Sequence, residues 1–430
     1  TVINPFVAGI DVSDNEMMVA YPTGADQLSV QSFGCFTADL HDISTTLQNS
    51  HVTSVAMEST GVYWIPLFLL LQEDGFEVYL VNARHVKNVT GRKDDESDAE
   101  WIQKLHSCGL LQPSFQPDNL TRTLRSIVRH RNSMEKTCSI YINRMQKALE
   151  LMNIKLHTII SDIDGKTGLL IIESILAGER NPEKLAALRD PRIKASREEI
   201  VKSLEGYYTT EHLFELKQCY QLYGTHRQMI KECDNEIEKQ LVELAASKDG
   251  GVIPNIPEKK RKGKHKMAFN VTAHLAQISG IDVTKVVGIS EITSLTILSE
   301  VGVDLAKIWK SPHHFTSWLG LAPNTKKSGG KVISSRILKK KNHAGQAFRM
   351  AAFGLQNIKG ILGDYYRRIK AKAGAPKAVV ATARKLAIIY YMMVTNKEEF
   401  NPKALEVYRQ KYKENKINQL KKRIALLEAA

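Results

Sequence analysis

Two stretches of the chain repeat their apolar residues in alternating steps of three and four, and this constrains the fold more than any other feature. In the first, Leu120, Leu124, Ile127, Arg131, Met134, Cys138, Tyr141, Met145, Ala148 and Met152 follow one another at that spacing, with Arg131 as the one charged interruption. In the second, Leu216, Cys219, Tyr223, His226, Ile230, Cys233, Ile237, Gln240 and Leu244 do the same. A heptad of this kind makes a long helix with one sticky seam, which demands a partner helix. The two seams are able to pair as a hairpin within one chain or between two chains, and the spacing is compatible with both. Between them lies a small helical insert containing DIDGKTGLLIIESILAGERNP.

Ahead of the heptads, the first ~115 residues alternate strands and helices. VAGIDVS, NEMMVAYP, QLSVQSF, VTSVAME and FEVYLVN read as strands, the earlier ones linked by polar turns. TADLHDISTTLQNS reads as a helix with the Thr37 hydroxyl placed to cap it, and GVYWIPLFLLLQEDG as an apolar helix closed by Gly75. Hairpin strands followed by strand–helix alternation predict an α/β unit with a mixed sheet. The expected organisation is therefore an α/β domain over 1–115, a long-helix domain with its insert over 116–250, a basic linker over 251–269, a mostly helical domain over 270–400 and a basic C-terminal helix over 401–430.

Charge narrows the partner. Sixty Lys and Arg against 46 Asp and Glu leave a formal charge of +14, and the pI is near 9.3. Such an excess suits a polyanion, either nucleic acid or an anionic membrane surface. The sequence lacks an uninterrupted apolar run of ~18 residues, and TVINPFVAGID has no charged region followed by an apolar one. Nucleic acid is the expected partner, and no membrane contact is expected. The five cysteines, Cys35, Cys108, Cys138, Cys219 and Cys233, form no C-x-x-C pair. A zinc site or disulfide framework is not expected, and a reducing cytoplasm is.

Chemistry concentrates in two places. Asp11 closes the first strand in GIDVS, Glu58 closes the fourth in AMESTG, and Asp95 and Asp98 stand three apart in KDDESDAEW, on one face of a helix beginning there. Strand-end carboxylates converge at one sheet edge, and clustered carboxylates need a cation to neutralise them. Oxygen-only ligands suit Mg²⁺ or Mn²⁺, two of which stabilise attacking and leaving oxygens in phosphodiester chemistry. Arg92 and Lys93 adjoin the acids as phosphate contacts. Each acid taken singly reads as a cap or turn residue, Asp94 and Glu96 compete as ligands, and GIDVS is also similar to the first phosphate loop of sugar and acetate kinases. Those enzymes need further Gly-rich phosphate loops, which are missing here.

The second place is FTSWLGLAPNTKKSGGKVISSRILKKKNHAGQAFRMAAF. Ser328 precedes Gly329–Gly330 among Lys326, Lys327, Lys331 and Arg336, with Lys339 and Lys340 beyond. A serine on a flexible loop reaches a scissile phosphate, and cations stabilise the pentavalent transition state. The competing reading is a phosphate-binding turn, and Ser334 and Ser335 are rival nucleophiles. Upstream, ISGIDVTKVVGISEITSLTILSEVGVD predicts helix, tight glycine turn, helix, a hairpin that aims backbone N–H groups at phosphate. The run Lys259, Lys260, Arg261 and Lys262 begins the cationic part of the linker, read as a phosphate contact or a solvated tether.

Taken in order, GIDVS, MESTGVYW, KDDESDAEW, VVGISEITSLTILSEVG, WLGLAPNTKKSGGK and RILKKKNH resemble the blocks of one family over most of the chain. It is the bacterial insertion-sequence transposases that pair a RuvC-like DEDD domain with a serine-bearing transposase domain, the insertion sequence 110 family of bridge-RNA-guided recombinases. The resemblance implies an RNase H-like mixed sheet, long coiled-coil helices and a mostly helical transposase domain. It implies Asp11, Glu58, Asp95 and Asp98 as ligands of Mg²⁺ or Mn²⁺ and Ser328 as nucleophile of a 5′-phosphoserine intermediate. It further implies a structured non-coding guide RNA that pairs with donor and target double-stranded DNA, a homo-oligomer (dimer, tetramer at the synapse) and a bacterial cytoplasmic location on the nucleoid. The family usually has Thr where this chain has Asp94, and the helical insert and basic linker are additions. A RuvC-type metal nuclease acting on junctions would need the same four acids without Ser328, and a non-catalytic nucleic-acid scaffold would need neither.

Overall fold

The computed structural model describes residues 2–24, 27–59, 61–82, 86, 97–248, 251–257, 266–338 and 342–401, with 410, 414, 417, 418, 421 and 424. The chain divides into two units, Thr1–Gln116 and Pro117–Ala430.

In the first unit, β1 (Val7–Val12) pairs antiparallel with β2 (Met17–Pro22), and β2 with β3 (Leu28–Phe33). On its other side β1 runs parallel to β4 (Ser54–Glu58), and β4 parallel to β5 (Glu77–Val81). The strand order is β3-β2-β1-β4-β5. The helices α1 (Thr37–Asn49) and α2 (Trp64–Glu73) precede β4 and β5. Thr37 is not the cap of α1. It is the first helical residue, and the N-terminus is closed instead by Asp39, which accepts from the Phe36 N–H at 2.8 Å.

Strand alternation divides β1 between two cores. Ala8, Ile10 and Val12 join Val55, Met57, Leu40, Ile43, Leu67 and Phe68 on one face. On the opposite face, α3 (Asp98–Ser107) packs with Trp101, Ile102 and Leu105 on Ala56 and Val81. Both faces of the central strands are therefore covered, which explains their nearly continuous apolar sequence.

The second unit is built on two long helices, α4 (Asn119–Leu151) and α9 (Thr210–Ser247). Their seams pair within the chain and antiparallel: Leu124 and Val128 share a core with Ile237, Leu241 and Leu244, while Cys138 and Met145 share one with Leu216, Cys219 and Tyr223. Between the two cores the charged interruption finds its reason. Arg131 and Asp234, both buried, form an ion pair, and Arg227 meets Glu135 at 3.2 Å alongside. At the far end, α5 (Leu156–Ile159), α6 (Lys166–Leu176), α7 (Pro182–Ala186) and α8 (Arg197–Leu204) bring Ile171, Ile175, Leu185, Ile200 and Leu204 onto the helix pair.

At the near end the same pair is part of the C-terminal body. Met267, with Val271, Leu275 and Ile278 of α10 (Val271–Ser279) and Leu295 and Leu298 of α11 (Glu291–Val301), completes the core of Leu124 and Ile237. The body continues through α12 (Leu305–Ile308), α13 (Pro312–Trp318), a hairpin β6 (Lys326–Ser328) and β7 (Lys331–Ser334), then α14 (His343–Gly354), α15 (Ile361–Ala373) and α16 (Ala375–Asn396). Phe315, Phe348 and Tyr390, all fully buried, meet in its centre. One helix, α16, is long and apolar enough by length and composition to cross a membrane, although Lys377, Arg384 and Lys385 interrupt its apolar run and half of its apolar window is buried. Its buried Leu386, Ala387, Tyr390 and Tyr391 make it a core helix of this body.

Candidate active site

The acidic constellation is assembled by register. In the parallel pair of β1 and β4, Ile10 lies opposite Met57. One step further along both strands stand Asp11 and Glu58, both half-buried. Neighbouring strands are ~4.8 Å apart, and aligned residues of a parallel pair share a face. That face is the one α3 covers, since Gly9 and Ala56, two residues before Asp11 and Glu58, point to it.

Gly9 sets how closely α3 approaches. A Cβ there would lie 2.4 Å from the Ala99 carbonyl oxygen and 2.3 Å from the Gln103 nitrogen. The helix backbone thus rests directly on the strand, and Gln103 Nε2 donates to the Val7 carbonyl at 3.3 Å. With Gln103 over Val7 and Ala99 over Gly9, α3 runs opposite to β1, and its N-terminus reaches the Asp11 end. A capping box fixes that end: the Glu100 N–H donates to Ser97 Oγ at 3.2 Å and the Ser97 N–H to Glu100 Oε2 at 2.8 Å. The hydrogen bonds with Ser97 hold the Glu100 carboxyl below its usual range. Asp98 is consequently the first residue of α3, where the helix dipole favours a negative charge.

The far end of α3 is pinned by His106. Its Nε2 lies 2.8 Å from Ser54 Oγ, which donates to the Glu77 carbonyl at 3.0 Å, and its ring lies against Tyr79. Burial pushes the His106 imidazole below its ordinary range, against the pull of Glu77.

Asp11, Glu58 and Asp98 are therefore brought to one end of one face of the sheet. The helix α3 begins at Asp98, and the helix-face relation expected between Asp95 and Asp98 rests on a residue outside those described. Asp95 itself lies outside the described residues, as do Arg92 and Lys93. Among the described residues no three Asp, Glu, His or Cys side chains are gathered closely enough to hold a metal ion. The donor chemistry, carboxylate oxygen alone, suits a hard divalent cation. Asp11 and Glu58 supply the side-by-side pair, and Asp98 opens the helix next to it.

The serine constellation takes a different form from the loose loop expected. Ser328 ends β6 and is the register partner of Lys331 at the start of β7. Gly329 and Gly330, with φ of 54° and 75°, form the two-residue turn between them. Positive φ at both central positions is the type I′ pattern, which glycine adopts without a Cβ clash and which matches strand twist. Ser328 is thus held on a tight hairpin, exposed at its tip with Lys326, Lys327 and Lys331. An irregularity between Lys326 and Lys327 shifts the register below them.

The roots of the hairpin are anchored. Asn324 N–H donates to the Arg336 carbonyl at 2.9 Å, and Pro323 bridges Ile337. On the descending side Asn342 caps α14 by accepting from the Gly345 N–H at 2.8 Å. Arg349 of α14 donates to the Gly320 carbonyl at 2.9 Å. Arg336 is exposed on the descending arm. Lys339 and Lys340 lie outside the described residues, as do Lys259, Lys260, Arg261 and Lys262 of the linker.

Beneath α14, the buried Glu300 carboxylate at the end of α11 accepts from Arg129 Nε and Nη2, each at 2.7 Å, while Arg125 donates to the Glu300 carbonyl at 2.6 Å. Burial brings the Arg125 guanidinium down to about 10, against the pull of Glu300. This clamp ties the long helix α4 to the body that carries the hairpin. Sequence reading missed Gly9, Ser97, Asn342 and Glu300. The period of two that puts Gly9 on the face of Asp11, and the S-x-x-E spacing of Ser97 and Glu100, were the available signals.

A mixed sheet with carboxylates at its strand ends, covered by helices and followed by a helical unit, is an RNase H-like arrangement, the class of metal-dependent enzymes that cut and join nucleic acid. A family model described as a transposase of the DEDD IS110 type matches residues 8–154. A second, described as transposase of the IS116/IS110/IS902 family, matches residues 282–367. The chain belongs to the IS110 family of transposases. No individual curated protein matches it.

Proposed function

We propose that the protein joins donor and target DNA by serine-mediated cleavage, exchange and religation, guided by a structured non-coding RNA. The observation that carries this reading is the presentation of Ser328 at the exposed tip of a tight-turned, lysine-flanked hairpin in a chain that also carries an RNase H-like carboxylate site. The Ser328 Oγ loses its proton and attacks a DNA phosphorus. The phosphorus–O3′ bond breaks, the 3′ oxygen takes up a proton, and a 5′-phosphoserine remains. Lys326, Lys327, Lys331 and Arg336 balance the charge that develops on the phosphoryl oxygens, worth several orders of magnitude in such sites. The two-residue turn holds Ser328 in place and so spares the ordering that a loose loop would require.

Asp11, Glu58, Asp95 and Asp98 would hold Mg²⁺ or Mn²⁺, which supplies Lewis-acid stabilisation of phosphodiester oxygens when bound. Arg92, Lys93, Lys339, Lys340 and the linker residues Lys259, Lys260, Arg261 and Lys262 contact phosphates. Base pairing to the RNA supplies sequence choice, while the protein grips backbone and shape. A homodimer, doubled to a tetramer at the synapse, brings two half-sites together.

The test is a denaturing gel of protein, candidate RNA, Mg²⁺ and labelled duplex DNA carrying element ends. A covalent protein–DNA band that disappears in Ser328→Ala supports the reading, with strand cleavage reduced at least about 10³-fold and DNA binding retained. Cleavage that persists in Ser328→Ala, leaving a free 5′-phosphate, would replace it with a water-using metal nuclease.

A further inference from the structure

The hairpin of α15 and α16 carries a concentration of charge that the serine site does not use. Between residues 359 and 385 the chain has Lys359, Arg367, Arg368, Lys370, Lys372, Lys377, Arg384 and Lys385 against Asp364 alone. Most of this segment lies beyond the matched residues 282–367. Spacing orders the charges. Tyr365, Arg368 and Lys372 stand at i, i+3 and i+7 on one face of α15, and Lys377, Arg384 and Lys385 at i, i+7 and i+8 on one face of α16.

The two faces meet at the Tyr365 ring. The Arg368 guanidinium carbon lies 5.2 Å from its centroid and the Lys385 Nζ 5.3 Å from it. Two cations thus share one aromatic ring, a favourable contact for each but a repulsive one between them. Burial, then the like charge of Arg368, pushes the Lys385 ammonium below its ordinary range. Asp364 is turned toward Arg367, at 2.7 Å. Lys372 and Lys377, on either side of the connecting Gly374, are exposed. On α16, Arg384 Nη2 lies 3.4 Å from His313 Nδ1, and its buried Nε meets no hydrogen-bond acceptor among the described residues.

We infer that this face of α15 and α16 is a second nucleic-acid surface, gripping the phosphate backbone of duplex DNA through Arg368, Lys372, Lys377 and Lys385. The inference deepens the recombinase reading and rests on it, adding a DNA contact separate from the Ser328 hairpin and the linker. A phosphodiester backbone presents negative charge at regular intervals, which suits cations spaced along two adjoining helices and the exposed Lys372 and Lys377 at their junction. Its contacts are insensitive to sequence, as suits side chains presented by two helices rather than by a groove-reading element. Tyr365 positions the two inner cations and makes no base contact.

The experiment uses full-length protein and a labelled duplex of arbitrary sequence, with binding followed by fluorescence anisotropy across a salt series. Lys372→Gln/Lys377→Gln changes only exposed side chains and guards against misfolding, which matching thermal melts confirm. Arg368→Gln/Lys385→Gln removes the inner pair. Each lost phosphate contact lowers the slope of log affinity against log salt by about 0.9, so the quadruple variant loses up to about 3.6. An unchanged slope in a quadruple variant of normal melting overturns the inference and leaves the recombinase reading standing. A slope that falls on structured RNA but not on duplex DNA overturns the DNA assignment in favour of an RNA surface. A wild type that fails to bind duplex DNA in a salt-dependent way removes the recombinase reading itself.

Discussion

Gly9→Ala tests the architecture of the carboxylate site most directly. By local propensity this change stabilises a strand, because glycine inside a strand costs about 0.5–1 kcal/mol relative to alanine. The tertiary structure reverses the sign. The new Cβ would meet the Gln103 nitrogen at 2.3 Å, the Ala99 oxygen at 2.4 Å and the Gln103 Cα at 2.8 Å, where ordinary contacts begin at 3.4 Å. All three are backbone atoms, so no rotamer change relieves the overlap and α3 has to lift by about 1 Å. Overpacking of this kind costs about 1–3 kcal/mol. The net result is a loss of about 1–2 kcal/mol, confined to the first unit. Hydrogen exchange followed by mass spectrometry resolves that unit within the whole protein, and peptides spanning 7–12 and 97–107 should exchange about 5–30-fold faster, as that free energy dictates. On the proposed reading, in which Asp98 shares a cation with Asp11 and Glu58, lifting α3 weakens Mn²⁺ binding, which calorimetry reads directly. Unchanged or slower exchange in both peptides would refute the close-packing argument.

Other perturbations separate the remaining contributions. Asp234→Ala leaves the buried Arg131 guanidinium with Glu135 alone, at 3.5 Å, and should cost about 2–3 kcal/mol in denaturant unfolding, whereas Arg131→Met/Asp234→Leu should be close to neutral; equal losses would deny the pair its role. Glu300→Ala removes the carboxylate that meets both Arg129, 44% exposed, and the mostly buried Arg125 at 3.4 Å, and should destabilise the second unit by about 3 kcal/mol; protection from exchange across 291–301 is the readout. The depressed His106 binds fewer protons folded than unfolded, so its share of stability is complete above the unfolded value of about 6.5 and is lost as pH falls toward the folded value. His106→Gln should flatten the melting temperature of the first unit below pH 6.5, and a profile identical to wild type would place the acid sensitivity elsewhere.

Much of the local structure was legible because it is written in short-range patterns. Short apolar runs, the earlier ones separated by polar turns, marked the five strands, glycine after an apolar run marked the end of α2, and steps of three and four marked α4 and α9. Asp11, Glu58 and Asp98 were legible as acids at element ends, and register then set the first two side by side. The Gly-Gly after Ser328 signalled a turn, although a loose loop was expected where two positive φ angles make a tight one. Arg131 looked like a flaw in a seam until Asp234, one residue off the expected seam of α9, supplied its partner.

What the amino-acid sequence determined by itself was the kind of the strands and helices outside the Ser328 hairpin, the acids and serine available for chemistry, and the cationic excess that calls for a polyanion. All of these follow from interactions among residues within a few positions of one another, or from composition alone. Tertiary structure decided that the heptad seams close on each other antiparallel within the chain, that Gly9 admits a helix backbone, that Glu300 clamps α4, and that Tyr365 gathers cations from two helices. Each depends on contacts between residues distant in the sequence, whose distances exist only once the intervening chain has packed.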